Sequence, residues 1–526
     1  MFVYVFLVLL LTHCAHQGEY GDATKTIAST SDAERFDKLI QGKLSTHELQ
    51  QFQESCRGNL KFSLFCPSFA RFHTLERRIK AKQRRPVLTQ PPVIPPTTLV
   101  IENQKVIGWS EIRKANVKSI VKGMRGMSLE QLRVISRAAL KEGRCPNNAA
   151  IASAATLEEQ LPNSVTPTEV ARLYDKGANC ARREPLDREH YLTRAGLLFY
   201  QYQQYSNAAQ YLQRATRIRD AYVARPLYWW YRTLGQLRRN AKQREVFEQL
   251  TRHYAFDFHT LLALTENKKD PAQQVLRAGP GAALPRRSQR HPGINSLIEQ
   301  AETLRQQGFT DSSEFMGAWA LEEGTRVEFP VKLYIAQLAD GYSKVTWMGD
   351  FLNSDPNRVS RTMLEISFPR VYLPLFERHA AQIDPLFLLS FARQESIFNA
   401  SAVSVANAQG LMQLTPETAS KLSSAELDLL DPETNIRMGA RHIHDLIDRF
   451  KGKTSFAVAA YNAGEEKMGA WAERYETKDR MLLIDLISYR ETRSYVGAVL
   501  RNYYWYRRLY SSQGSDIELI DPNVVR

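Results

Sequence analysis

The sequence predicts a mainly α protein in which a solenoid of stacked helical hairpins precedes a second, smaller helical domain. Three observations carry this reading. From about Ser110 to Leu352, apolar residues recur at helical spacing almost without interruption. Within that region the stretches 191–218 and 227–254 each run as an aromatic-rich helix, a turn and an alanine-containing amphipathic helix. Beyond Asp355 the helix signals continue and no alternating strand run of convincing length appears, although a small β-element fits within 397–410.

A chain of 526 residues exceeds one hydrophobic core, so two to four domains are expected. The formal net charge of +14 points to an anionic partner: nucleic acid, a phospholipid surface, or peptidoglycan with its carboxylate-bearing peptide stems. Charge alone does not choose among them. The basic residues are dispersed and no recognised nucleic-acid motif accompanies them, which argues against nucleic acid.

The first 16 residues, with an apolar run from Phe2 to Leu11, are too short to span a bilayer but fit the core of a secretory signal, though without the usual positive start. Leu11 to Cys14 resembles a bacterial lipobox, in which Cys14 would be lipidated; His13 departs from the small residue normal there, and a simple signal peptide cleaved nearby is the alternative. Setting Cys14 aside leaves Cys56, Cys66, Cys145 and Cys180, an even number for an exported protein. Of three connectivities, 56–66 with 145–180 is the one expected. No cysteine or histidine cluster has zinc spacing, so no metal site is expected.

Residues 17–100 read as an N-terminal extension that contains the basic stretch Arg71 to Arg85 and ends in the proline-rich linker 86–96. Residues 101–354 read as the solenoid with linker helices. Ala208 and Ala241 occupy corresponding places in the two hairpins, an offset of 33 that suits tetratricopeptide-like stacking. Trp229, Trp230 and Tyr231 could be sugar platforms, but consecutive aromatics on a packed helix read as core. Residues 355–526 read as the second helical domain, the candidate for the catalytic one.

That domain opens with a helix capped by Asp384, with Pro385 in its first turn and a broad apolar face from Leu386 to Ala392. Glu395 stands at its end. Apolar surroundings and the negative end of the helix dipole both favour its protonated form, so it is a candidate general acid; a solvated C-terminal glutamate is the other reading. Further helices start at Thr415-Pro416 and Asp431-Pro432, one ends at Asn462 to Gly464, and the last carries Tyr495, Tyr503, Tyr504, Trp505 and Tyr506.

Four motifs in order, RQES (393–396), GLMQ (410–413), AYNAG (460–464) and ETRSYV (491–496), resemble those of the family 1 lytic transglycosylases of the soluble type. The likeness covers about Leu364 to Tyr510 well, and more loosely reaches back to about Tyr191. It implies a lysozyme-like catalytic domain beside a helical ring or horseshoe. It also implies a single-glutamate reaction on peptidoglycan without a cofactor. Glu395 would protonate the glycosidic oxygen between N-acetylmuramic acid and N-acetylglucosamine. The sugar's N-acetyl group would stabilise the cation, and its 6-hydroxyl, deprotonated by the same glutamate, would close a 1,6-anhydro ring.

By the same resemblance Ser404 would bond the sugar near the acid. Gly410, Met412 and Gln413 would line the cleft floor, Met412 against a sugar face. Tyr461 and Asn462 would be the cleft tyrosine and its neighbour, and Glu491 a glutamate near the site. Asn407 stands where the family carries glycine, a departure that asparagine's tolerance of left-handed angles accommodates. The implied partners are peptidoglycan strands and cell-wall synthases in the periplasm of a Gram-negative bacterium, with a lipid anchor to the inner leaflet of the outer membrane. The rivals are a hydrolytic muramidase, which needs a second carboxylate such as Glu491 or Asp431, and a non-catalytic peptidoglycan-binding scaffold.

Overall fold

A computed structural model describes residues 115–525 except 146, 271–282, 325, 355–358, 426, 476 and 512–517. Cys14, Cys56, Cys66, the basic stretch and the proline-rich linker lie outside the described residues. Among the described residues there are 22 helices and only isolated β-bridges, so the mainly α class is borne out. None of these helices is long and apolar enough to cross a membrane.

The chain divides into two compact units, one from Ala282–Lys344 and one from Thr98–Gly281 with Val345–Arg526. The smaller unit holds three helices, Ile294–Gln306, Thr310–Glu323 and Phe329–Leu338. Glu328 anchors the irregular segment before them. Its carboxylate accepts from Ser288 Oγ (2.6 Å) and from the backbone N–H groups of Gln289 and Arg290. Those donors hold its pKa down at about 2.

The larger unit begins with α1 (Val117–Met124), α2 (Leu129–Lys141), α3 (Asn148–Glu158), α4 (Pro167–Cys180), α5 (Pro185–Gln201), α6 (Tyr205–Thr216), α7 (Ala224–Gln236), α8 (Asn240–His253) and α9 (Phe258–Glu266). From α2 onwards successive helices pack on one another, as hairpins do, and α1 packs on α3. Ser128 and Thr166 form capping boxes with Gln131 and Glu169, which start α2 and α4. The alanine-rich α3 is buried on nearly every face because neighbours surround it. A disulfide joins Cys145 to Cys180.

The two hairpins expected at 191–218 and 227–254 are present as α5–α6 and α7–α8, but their supposed equivalence at alanine is not. Ala208 is fully buried, whereas Ala241 lies exposed in the first turn of its helix. The second helices begin 35 residues apart, at Tyr205 and Asn240, so an offset of 33 places Ala241 too early. Trp229 and Trp230 are core residues, as read.

After the three helices of the smaller unit come Gly341–Ser354 and then α10 (Arg361–Ser367), α11 (Leu373–His379), α12 (Pro385–Glu395), α13 (Pro416–Leu422), α14 (Pro432–Arg449), α15 (Thr454–Ala463), α16 (Glu465–Arg474), α17 (Arg480–Leu486) and α18 (Arg490–Tyr510). The last is the axis of this part: it packs on α9, α10, α12, α15 and α17. Its aromatic run Tyr503 to Tyr506 is buried all round, with Trp505 against Phe256 and Phe368.

Two buried polar clusters tie the hairpins to this part within the same unit. In one, Asp485 at the end of α17 accepts from Trp229 Nε1 (2.6 Å), His259 Nε2 (3.0 Å) and Arg225 Nε (3.0 Å). The other nitrogen of His259 faces Asp257 Oδ1 at 3.2 Å. Only a doubly protonated ring satisfies both carboxylates. In the second cluster, Arg194 and the hydroxyls of Tyr174 and Tyr475 converge on the buried carboxylate of Glu158. Burial opposes charge on His259, but Asp485 and Asp257 outweigh it and push its pKa up to about 9.

Two expectations follow from these links. The disulfide closes a 35-residue span, so the Cys145→Ser/Cys180→Ser variant should lose about 4 kcal/mol on the chain-entropy account, read as a lower denaturation midpoint. An unpaired histidine loses its charge near pH ~6.5, so the stabilisation by His259 is complete below that value and is lost as pH rises through about 9. The melting temperature should therefore decline across that interval. His259→Gln should flatten the decline, and an unchanged slope would refute the coupling.

Candidate active site

Asp384 caps α12 by accepting from Leu386 N (3.0 Å), and Tyr503 on α18 donates to its other oxygen (3.0 Å). Cap and core contact together fix the direction of α12, whose last residue is Glu395. Arg393, in the last turn, is locked by bonds to Ser367 O (2.7 Å) and Asn502 Oδ1 (3.0 Å) and lies over the Phe368 ring. The chain then reverses through Ile397 and Phe398, both with positive φ (52° and 63°). A β-branched residue at that angle is strained, and the surrounding bonds hold it there. Ser396 supplies one of them, donating its hydroxyl to Leu411 O (2.8 Å).

Glu395 is partly exposed and accepts a hydrogen bond from Tyr495 Oη at 2.5 Å. Burial is the main influence on its pKa and raises it; the Tyr495 hydroxyl works the other way, and the charge of Glu491 adds to the rise. The result is about 7, so the acid and carboxylate forms are both available near neutrality. Phe391, one turn before the acid, packs edge-on to Tyr461 (5.0 Å) and Tyr495 (6.3 Å), which gives the acid its apolar wall.

The GLMQ segment is stitched to two helices. Asn435 on α14, fully buried, accepts from Met412 N (2.7 Å) and donates to Gln409 O and Leu429 O (both 2.8 Å). Tyr461 on α15 donates to Met412 O (2.7 Å). Gly410 has φ +76°, and a Cβ there would meet Leu429 O at 2.3 Å, so glycine is required on both counts. The loop before it carries isolated bridges Val403↔Gln409 and Gln409↔Leu414 rather than a sheet. Asn407 adopts φ 59°, the left-handed angle that its glycine-like place demands.

The other residues named by the resemblance differ in burial and in hydrogen bonding. Met412 is fully buried and packs inward, with its sulfur where a side chain on Gly439 would be. Gln413 uses both amide N–H bonds internally, on Ala402 O (3.0 Å) and Gly410 O (2.9 Å), and so braces the loop. Ser404 is exposed and accepts from Ala408 N (3.0 Å) within its own turn. Asn462 accepts from Thr492 Oγ1 (2.7 Å), joining α15 to α18. Glu491 is exposed and influences Glu395 through its charge. Asp431 is committed to capping α14 through Thr434 N (2.8 Å).

Two residues of the site escaped the sequence reading. Tyr495 lies one helical turn from Glu491, which drew attention because of its charge; the hydroxyl that touches the acid is four residues further on. Asn435 was detectable as a polar residue on the apolar stripe of α14, where Ile436, Met438, Gly439 and Ile443 are buried. Among the described residues, no group of three or more His, Cys, Asp or Glu side chains is placed to hold a metal ion.

Comparison with known proteins points the same way. Residues 375–484 match the family model described as Transglycosylase SLT domain. The soluble lytic murein transglycosylase of Escherichia coli K12 is 35% identical over 155 residues, 27% of this chain and 24% of that protein. The membrane-bound lytic murein transglycosylase F of Pseudoalteromonas translucida is 34% identical over 140 residues, 23% of this chain and 29% of that protein. The chain thus spans about a quarter of the length of these curated relatives. The crystal structure of the 70 kDa soluble lytic transglycosylase from Escherichia coli matches with a TM-score of 0.51 at 18% identity, over 95% of this chain and 82% of that one, a likeness of fold. The resemblance read from the four motifs is borne out.

The two neighbours of the acid should move it in opposite directions. Tyr495→Phe removes the donor that favours the carboxylate, so the Glu395 pKa should rise above about 7; Glu491→Gln removes a like charge, so it should fall. Carboxyl titration by 13C NMR, with Glu395→Gln to assign the resonance, reads both. Shifts in the same direction would contradict the arrangement.

Proposed function

We propose that the chain is a peptidoglycan lytic transglycosylase that cleaves the β-1,4 bond between N-acetylmuramic acid and N-acetylglucosamine. The observation that carries the reading is Glu395, a half-buried carboxyl poised at about 7 with its orientation held by Tyr495. Its protonated form delivers a proton to the glycosidic oxygen, and the bond from that oxygen to C1 breaks with the electron pair on the departing sugar. The carbonyl oxygen of the substrate's own N-acetyl group stabilises the cation at C1. Glu395, now a carboxylate, takes the proton of the C6 hydroxyl as its oxygen bonds C1. The proton balance closes on one residue, and no water enters.

Hydrolysis would need a second carboxylate to activate water. Asp431 is spent on its helix cap, and Glu491 is exposed beside Tyr495, where its charge tunes the acid. The apolar N-terminal run, Cys14 and the net charge of +14 support export to the periplasm of a Gram-negative bacterium, anchorage to the outer membrane and attraction to an anionic wall. The similarity to relatives named as soluble and as membrane-bound murein transglycosylases supports the same location. Work beside cell-wall synthases belongs to this reading.

Digestion of purified sacculi by the unmutated protein should release muropeptides lighter by one water and resistant to borohydride reduction. Glu395→Gln should fold normally and lose activity by about 10²–10⁴-fold or more, because an amide cannot cycle a proton. Activity should decline as pH rises through about 7, where the acid form is lost. Reducible ends would replace this reading with hydrolysis, and retained turnover in the variant would remove Glu395 from its role.

A further inference from the structure

A groove among the first helices lies outside the acid's surroundings. Near the start of α2, Arg133 bonds Glu169 near the start of α4 (Nε to Oε1, 3.2 Å) and the carbonyl of Ser164 (2.8 Å). Past the end of α2, Cys145 is joined to Cys180, the last residue of α4. Cross-links at both ends set α2 and α4 side by side in the same direction, with α3 returning beneath them. Leu157 of α3 and Leu173 of α4 are buried in the groove, and Leu140 lines it. Its one buried hydroxyl, Ser136, is spent on Leu132 O (2.7 Å).

The rim is different. Arg137 of α2 and Arg172 of α4 both line the groove, both are exposed, and neither makes a hydrogen bond or ion pair among the described residues. Arg194 and Arg225 are held in ion pairs with Glu158 and Asp485, whereas these two guanidiniums face solvent. Two unpaired guanidiniums over an apolar floor favour a ligand with a carboxylate on small apolar groups. Guanidinium matches carboxylate geometry through parallel N–H bonds, and the leucines shed water on contact with methyl groups. An inorganic anion would leave that floor unfilled.

We propose that this groove binds a short peptide bearing a free carboxylate beside alanine-sized side chains, the chemistry of a peptidoglycan stem peptide. Its identification as a stem peptide rests on the proposed function above. Bound there, a glycan strand is held by its peptide as well as by the sugars at Glu395. The salt bridge and the disulfide keep the walls at fixed spacing.

Calorimetry on the full-length Glu395→Gln protein tests this without turnover. The probes are stem peptides released from sacculi by an amidase, and the same peptides amidated at their carboxylates. The free peptide should bind, and the amidated form and the Arg137→Gln/Arg172→Gln variant should each weaken binding at least about tenfold. Lysine at both positions should restore part of the affinity, which separates charge from fold damage. The unmutated groove with the two probes gives the answer even if the double variant is unstable. Equal binding of both probes, no binding of the free peptide, or no effect of the double variant would overturn the proposal. Binding of anionic phospholipid vesicles through these arginines in place of the peptide would also overturn it. If peptide binds but sacculi are not cut by the unmutated protein, the catalytic reading fails and the groove stands as a peptide site.

Discussion

The carboxylate of Asp485 is the point on which the larger unit depends. It is buried, and it is held ionised by an indole N–H, an imidazolium and a guanidinium drawn from α7 and α9. A buried carboxylate without such partners would cost several kcal/mol, so the hairpins and the C-terminal helices are committed to one arrangement. Asp485 lies five residues before α18, the helix that carries Tyr495. The polar cluster therefore helps set the position from which a hydroxyl reaches the acid.

Around Glu395 each constraint has a separate source. The apolar wall comes from Phe391 and its two tyrosine contacts, the hydrogen bond from α18, and the reversal after the acid from two residues in left-handed conformation. The GLMQ loop is fastened at Met412 by Asn435 from one side and Tyr461 from the other. Much of the GLMQ segment is thus scaffold for the loop. Met412 and Gln413 shape the loop from within, whereas Tyr495 meets the Glu395 carboxyl directly.

The reading of the sequence succeeded where information is local. The cap at Asp384, the starts at Thr415 and Asp431 and the stop at Gly464 are each carried by a few adjacent residues. It was less successful where distant elements meet. The matched alanines at 208 and 241 looked alike in pattern, yet one faces a neighbouring helix and the other solvent. Met412 looked like a cleft residue because its motif lies beside the acid, but its side chain turns towards Gly439.

By itself the sequence determined the helical class, the hairpins, the helix that ends in Glu395 and, through four ordered motifs, the chemistry expected of it. Those properties depend on backbone propensity, periodicity and short-range capping, all written in neighbouring residues. Only the tertiary structure decided that Tyr495 touches the acid, that Asn435 fastens its loop, and that His259 is charged between two carboxylates. Each of these joins residues far apart in the chain, and burial alters the cost of charge only once the chain has closed around it.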